Sequence, residues 1–512
     1  MLQIKNLSIW MNRDHKQILN QFSFSLQPGD RAAIIGEEGN GKSTLLRILA
    51  GDPQVEQYAA WEGTISGNQK QRIGWLKQEL SEEEKKMSVS RFYAARGVAE
   101  NDLYDALSSG TTTDFFEPER QVGTLSGGEK VRLQLTAVMA RQPEVLLLDE
   151  PTNDLDLETL SWLETFLLRC RRPVLYVSHD ETLLERTANV IIHLEQVRKK
   201  SLCRHTIARC GYREYVSRRA GALQRQEQLA RKERADQEKK QARLQQIFEK
   251  VEYRQNTISR GDPAGGRLLK KKMHAVKSME RRFERESESM TQLPDTEEAI
   301  GFDFGSNGVP DGKPVLRFQL DCLQAGERIL ARQVRLNVTG GEHIGITGTN
   351  GAGKTTLLKR MAEQLLQRSD LHVGYMPQNY ADALNGSQPV LEYLAPSGRK
   401  DDITAVRTLL GSLKFMHEEA EGTIEELSGG QKAKLLFAGL IFSGSNVLIL
   451  DEPTRNFSPL SNPVIRSALR RFPGAIVSVS HDRKFLAEVC DTVYQLTESG
   501  LQPVGIDDEE IL

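Results

Sequence analysis

Two stretches of this 512-residue chain carry a glycine-rich run that ends in lysine and a hydroxyl side chain. The first is Gly36, Glu37, Glu38, Gly39, Asn40, Gly41, Lys42, Ser43, Thr44; the second is Gly348, Thr349, Asn350, Gly351, Ala352, Gly353, Lys354, Thr355, Thr356. Each follows an apolar run (AAII at 32–35, HIGIT at 343–347) and precedes a helical one (LLRILA, LLKRMA). That strand–loop–helix context is what a phosphate-binding loop requires. The glycines let backbone N–H groups close around phosphate oxygens at a helix N-terminus. Lys42 and Lys354 then neutralise β- and γ-phosphate charge, while Ser43 and Thr355 offer a hydroxyl to Mg²⁺. The chemistry implied is binding and hydrolysis of ATP.

Carboxylates follow at a fixed distance. VLLLD and VLILD are continuous apolar runs of the kind buried in parallel sheets, and each ends in an acid. Asp149 and Asp451 are expected to hold Mg²⁺, directly or through water. Glu150 and Glu452 come next and are placed to orient and deprotonate an attacking water. His179 and His481 each lie 29 residues past their Glu, after another apolar strand, and suit a γ-phosphate sensor. Gln78 and Gln378 are candidates for the Mg²⁺ and water contact. Trp10 is available either to stack on the first adenine or to pack in the core, and the second copy has no matching aromatic. A third element precedes each acid pair: Ser126-Gly127-Gly128 and Ser428-Gly429-Gly430, each opening a charged helix. A serine hydroxyl, glycine N–H groups and a helix N-terminus together make a second anion cradle.

These motifs recur in one order, 302 to 312 residues apart, so the chain holds two homologous ATPase modules. From lysine to signature serine the first copy spans 84 residues and the second 74, leaving no room for a large insertion in the first. The whole chain is nearly neutral, 68 Lys+Arg against 70 Asp+Glu. Its mean hydropathy is −0.46, and no run approaches the 18 or more apolar residues of a membrane span. MLQIKNLSIW alternates like a strand and lacks the form of a signal peptide. Five cysteines form no C-x-x-C pair. Cys203, His205 and Cys210 could ligate a metal, but solitary thiols are the simpler reading. Secretion and a structural zinc are disfavoured, and a cytoplasmic protein is expected.

Charge is not evenly spread. Residues 212–290 hold 21 Lys+Arg and 12 Asp+Glu, a net of +9, so the remainder carries −11. Leu244, Ile247 and Val251, then Leu269, Met273, Val276 and Phe283, recur at helical spacing. This predicts helices at about 212–254 and 267–289, paired antiparallel and joined by a tip at 255–266 whose Gly, Asp and Pro break helices. The domain plan is a first module at 1–196, a basic helical-hairpin linker at 197–312 and a second module at 313–512. A solvated spacer needs neither a 40-residue helix nor a positive field.

The signature LSGG, joined to the loops and acid pairs, resembles the ATP-binding-cassette family over roughly 400 positions. That resemblance implies an α/β fold with two cassettes paired head-to-tail within a monomer, and two ATP molecules at the interface. Each ATP would lie between the phosphate loop of one module and Ser126–Gly128 or Ser428–Gly430 of the other. Two cassettes, no membrane segment and a basic hairpin are similar to the ABC-F group, ATPases that act on the ribosome. After DEPT the first copy reads Asn153-Asp154-Leu155-Asp156, whereas the second reads RNFSPLSNP at 455–463. That stretch is similar to the bacterial antibiotic-resistance ABC-F proteins of the Vga/Lsa/Vml kind. With Ser458 standing where the first copy has Asp156, the two ATP sites are expected to differ in rate.

The resemblance implies a 70S ribosome partner, with rRNA and P-site tRNA touched by the hairpin and no membrane. The favoured expectation is protection of the large subunit from antibiotics. A housekeeping factor for stalled ribosomes and a tandem ATPase serving a permease are the alternatives; the +9 hairpin counts against the last. Drug displacement needs either a bulky tip side chain, Tyr253 or Ile258, or only the hairpin's bulk and charge. The small, polar tip favours the second.

Overall fold

A computed structural model of the chain describes residues 2–67, 73–99, 103, 116–153, 155–197, 202–257, 263–288, 290–294, 296, 301, 304–305, 308–326 and 328–505. It divides into two compact units, Met1–Tyr212 with Glu297–Leu512, and Arg213–Thr296. Asp154 and the tip residues 258–262, Ile258 included, lie outside the described residues.

The first unit contains the repeat as two layered α/β cassettes. In the first cassette a six-stranded sheet runs, in spatial order, Ile73–Leu76, Val145–Asp149, Val174–Val177, Arg31–Ile35, Val190–Val197 and Leu202–Ala208. All neighbours are parallel except the last pair. The second cassette repeats this order with Val373–Met376, Val447–Asp451, Ala475–Val479, His343–Thr347, Thr492–Thr497 and Gly500–Val504. Leu146, Leu147 and Leu148, like Leu448, Ile449 and Leu450, are completely buried, as strands covered on both faces must be. A separate antiparallel sheet covers each core: Leu2–Met11 between Gln17–Leu26 and Ala59–Ser66 in the first cassette, and Pro314–Ala325 with Arg328–Thr339 in the second. Residues 202–208, which the composition shift had placed in the linker, close the first sheet as its antiparallel edge strand. The segment LCRHTIA can pair there because an antiparallel partner needs only a short return from Val197.

The second unit is a pair of helices, Tyr212–Thr257 and Pro263–Glu288. The longer has 46 residues, about 69 Å at 1.5 Å per residue. Gln237 Nε2 donates to the Phe283 carbonyl at 3.0 Å, and Thr291 N–H donates to Glu233 at 2.7 Å, so the chain folds back antiparallel. Two expectations shift. The second helix starts at Pro263, not 267, because a proline at the first helical position has no N–H to lose. Ile247 is exposed, and Phe248 joins Leu244 and Val251 on the covered face. Lys270, Lys271 and Lys272 are all exposed.

Candidate functional site

The first loop is bent by glycine. Gly41 caps helix Lys42–Leu49 at φ 84°, and a Cβ on Gly36 would stand 2.2 Å from the Leu194 carbonyl oxygen. Lys42 Nζ curls back to donate to the carbonyls of Gly36 (2.9 Å) and Glu37 (3.0 Å). Asn40 is pinned to the sheet by its Nδ2, which donates to Leu194 O at 3.0 Å. Ser43 Oγ donates to Asp149 Oδ1 at 2.8 Å, while Asp149 Oδ2 is buried and meets no donor among the described residues. Burial, partly opposed by Ser43 and reinforced by the charge of Glu150, pushes Asp149 up to about 6.

Glu150 follows at φ 46°, a conformation uncommon for a side-chain-bearing residue, which turns its carboxylate toward the loop. Its Oε2 accepts from Gln78 Nε2 (3.0 Å) and Asn153 Nδ2 (2.7 Å), and His179 Nε2 lies 3.4 Å from Oε1. Burial alone would raise Glu150, but His179, Lys42 and Asn153 hold it down to about 2. Asn153, quoted above only as the start of the stretch after DEPT, gains a role here that its spacing does not announce. Gln78 is tied to the glutamate by this bond and lines the same cavity as Ser43. His179 Nδ1 meets the Phe457 carbonyl oxygen of the second cassette at 2.7 Å. A cavity of about 730 Å³ joins Lys42, Ser43, Thr44, Glu150 and His179 to Asn456 of the other cassette. Met11 and Ile18 line it and Trp10 does not.

The second loop repeats the geometry with different electrostatics. Gly353 caps helix Lys354–Leu366 at φ 98°, and Lys354 Nζ donates to Gly348 O (2.8 Å) and Thr349 O (2.9 Å). Among the described residues, neither carboxylate oxygen of the buried Asp451 meets a donor at hydrogen-bond geometry. Burial raises Asp451, with only partial relief from the nearby Thr355 hydroxyl and Lys354. Glu452, at φ 52°, accepts from His481 N–H at 3.3 Å. Burial and the Asp451 charge push it up to about 8. His481 Nε2 is 3.8 Å from Glu452, its Nδ1 has no partner among the described residues, and burial with the Lys354 charge lowers the ring to about 3. A cavity of about 460 Å³ lined by Lys354, Thr355, Thr356, Gln378, Asp451 and Glu452 also takes Asn153 and Asp180 from the first cassette. The donorless oxygens of Asp149 and Asp451, beside Ser43 and Thr355, are a set that a hard divalent cation fits.

Each signature serine opens a helix through a capping box: Ser126 with Glu129 on Gly127–Ala140, and Ser428 with Gln431 on Gly429–Phe442. Among the described residues only the second is brought onto a side chain of the opposing loop, where Gly429 and Gly430 donate to Glu38. Glu37 accepts from Ser458 Oγ (2.9 Å) and from Ser461, and faces Lys434 Nζ at 3.5 Å. At the other seam Asn350 N–H donates to Asp156 Oδ2 at 3.3 Å. A buried ion network completes the pairing: Arg466 to Glu181 at 2.6 Å, Arg483 to Glu164 at 2.8 Å and Lys484 to Glu181 at 3.1 Å. None of this network was legible in the motifs, since its partners lie 285 to 319 residues apart.

Two loops, two acid pairs and two signature helices, in cassettes that meet at two seams, define a tandem-cassette ATPase. The chain belongs to the family described as ABC transporter, whose model matches residues 19–153 and 331–455. It is similar to the tylosin resistance ATP-binding protein TlrC of Streptomyces fradiae, 29% identical over 95% of each chain. It is likewise similar to ABC transporter F family member 5 of Arabidopsis thaliana, 25% identical over 96% of this chain and 74% of that one. In fold it resembles the archaeal ribosome recycling factor aABCE1, solved with the ribosomal stalk protein aP1. The TM-score is 0.60 at 17% identity, covering 98% of this chain and 90% of that one. Among the described residues no helix is long and apolar enough to cross a membrane.

Proposed function

We propose that the protein is an ABC-F ATPase that binds the ribosome and protects the large subunit from antibiotics, the helix pair being its RNA-contacting arm. The observation that carries this is the exposed Lys270–Lys272 cluster on a paired-helix unit of net positive charge, in a chain with no membrane-spanning helix among its described residues. Lysines on a helix meet phosphate oxygens without reading sequence. The likeness to TlrC supports the resistance reading, and the likeness to an F-family member supports the group. Ribosome binding places the protein in the cytoplasm.

On this reading ATP binds at both loops. Glu150 and Glu452 take the proton from the attacking water, His179 and His481 contact the γ-phosphate, and the signature serines and glycines hold it from the opposite cassette. Ser43 with Asp149, and Thr355 with Asp451, would hold Mg²⁺, with Gln78 and Gln378 alongside; the ion supplies charge neutralisation at the phosphates. Closure on ATP is coupled to ribosome binding, and hydrolysis to release.

The test is cosedimentation with 70S ribosomes in ATP, using Glu150→Gln/Glu452→Gln to hold the bound form. Reversing Lys270, Lys271 and Lys272 to Glu should weaken binding and flatten its dependence on salt. An unchanged salt slope would move the contact off this cluster. Susceptibility of a sensitive bacterium expressing the protein, tried against lincosamides, pleuromutilins, streptogramin A and phenicols, separates protection from a housekeeping role. Replacing 256–265 with a Gly/Ser link should abolish protection while ATP-dependent ribosome binding survives.

A further inference from the structure

We propose that Glu38 gates the first nucleotide site: its carboxylate sits in the anion cradle of the second cassette, and the terminal phosphate of ATP on the first loop must displace it before the cassettes close on that nucleotide. Gly429 N–H donates to Glu38 Oε1 at 3.3 Å and Gly430 N–H donates to Oε2, at the head of helix Gly429–Phe442. A Cβ on Gly429 would stand 3.0 Å from that carboxylate and would crowd it outward by a few tenths of an ångström. These are the donors that the cassette pairing assigns to the phosphate, and the inference rests on that assignment.

Glu37 holds the neighbouring position. It is mostly covered, held between the Ser458 and Ser461 hydroxyls and Lys434, a lysine carried on the same signature helix. Burial works to raise its pKa, but Lys434 and the two serines hold it below the usual carboxylate range. Two acids of one phosphate loop thus anchor it to the opposite cassette. The second loop has Thr349 and Asn350 at these positions, and there Asn350 offers a backbone N–H to Asp156 instead. The first loop therefore brings its own anion to the seam, and the second does not. A carboxylate and a phosphate cannot share one pair of N–H donors without like-charge repulsion. The first site should accordingly close at higher ATP concentration than the second.

The experiment measures ATPγS binding by calorimetry on the full chain in a Lys354→Ala background, where the first loop keeps its lysine. Glu37→Thr/Glu38→Asn gives the first loop the residues of the second. Affinity is expected to tighten about tenfold, the equivalent of one charge-assisted hydrogen bond no longer lost on binding. Glu38→Gln, which keeps the size and the Glu37 anchor, is expected to give a smaller gain in the same direction. Should the double variant melt early, Glu38→Gln decides alone. Unchanged or weaker binding in Glu38→Gln overturns the proposal. So does an equal gain in a Lys42→Ala background, because the acids would then act through overall charge and not at their own seat. Neither measurement involves the ribosome, so failure here is distinct from failure of the proposed function.

Discussion

The two nucleotide sites are built from one motif set and differ at their seams. At the second site the acid belongs to the loop after the first cassette's carboxylate strand, Asp156, and it receives a backbone N–H from Asn350. At the first site the matching residue is Ser458, and acids stand on the phosphate loop instead, with Glu37 receiving the Ser458 hydroxyl. Each seam keeps acid, but on opposite sides. The glutamates beside the loops diverge in step. Glu150 is held near 2 by a His179 whose other ring nitrogen is fixed by Phe457, whereas Glu452 rises to about 8 beside a His481 that lacks such a partner. What this teaches is that the cassettes reach each other unequally: Phe457 of the second fixes the ring of His179, while the states of Glu150 and Glu452 follow from burial and from charges within their own cassettes.

The largest effect should come from the glutamates themselves. Losing both bases in Glu150→Gln/Glu452→Gln should lower steady-state ATPase activity by about 10²- to 10⁴-fold, the usual worth of a positioned base. The single variants sharpen the comparison. Glu150 is ionised and oriented by Gln78, Asn153 and His179, so Glu150→Gln should remove the larger share of turnover. If Glu452→Gln alone removed as much, the two sites would be working alike despite their surroundings.

The alternation of loop, signature, acid pair and histidine made the two cassettes legible, because each motif needs a particular end of a strand or helix. Apolar runs such as VLLLD located the central strands, which are buried on both faces. Phe248, in place of Ile247, escaped because two helical periodicities overlap in that stretch and only packing against the second helix chooses between them. The seam escaped for a different reason. Arg466 and Glu181, 285 residues apart, satisfy one another only after both cassettes have folded, and no local spacing announces them. One signal was present in the repeat: the first loop gains two acids where the opposing cassette loses one at Ser458. Reading the copies against each other would have placed Glu37 opposite Ser458.

That exchange can be broken directly. Ser458→Asp sets a carboxylate against the mostly covered Glu37 and should cost about 2–4 kcal/mol, since like charges forced together at a largely desolvated contact are severely penalised. The urea-denaturation midpoint checks this. Adding Glu37→Thr, which removes the opposed carboxylate, should recover most of the loss. Independent costs that simply add would mean that the two positions do not meet.

The smallest effect expected is at Asp156, which has two tasks. Its Oδ1 caps helix Leu157–Arg169 by accepting from Thr159 N–H at 3.1 Å and from the Thr159 hydroxyl at 2.6 Å, and its Oδ2 reaches Asn350. Asp156→Ala removes both and should cost about 1–2 kcal/mol, the ordinary worth of a cap. Asp156→Asn keeps a capping oxygen and discards the charge, so it should cost roughly 0.5 kcal/mol, because asparagine caps as well as aspartate. Burial would raise the Asp156 carboxyl, but Thr159 and Asn350 hold it below its ordinary value. An acid depressed by folding adds stability above its unfolded pKa of about 3.9, and that contribution fades as pH falls through the lower folded value. The parent should therefore lose its advantage over Asp156→Asn as urea midpoints are taken from pH 7 down to pH values well under that unfolded pKa. An Asn variant as costly as Ala at pH 7, with the gap to parent closing in acid, would assign the stability to the charge that reaches across the seam and not to the cap.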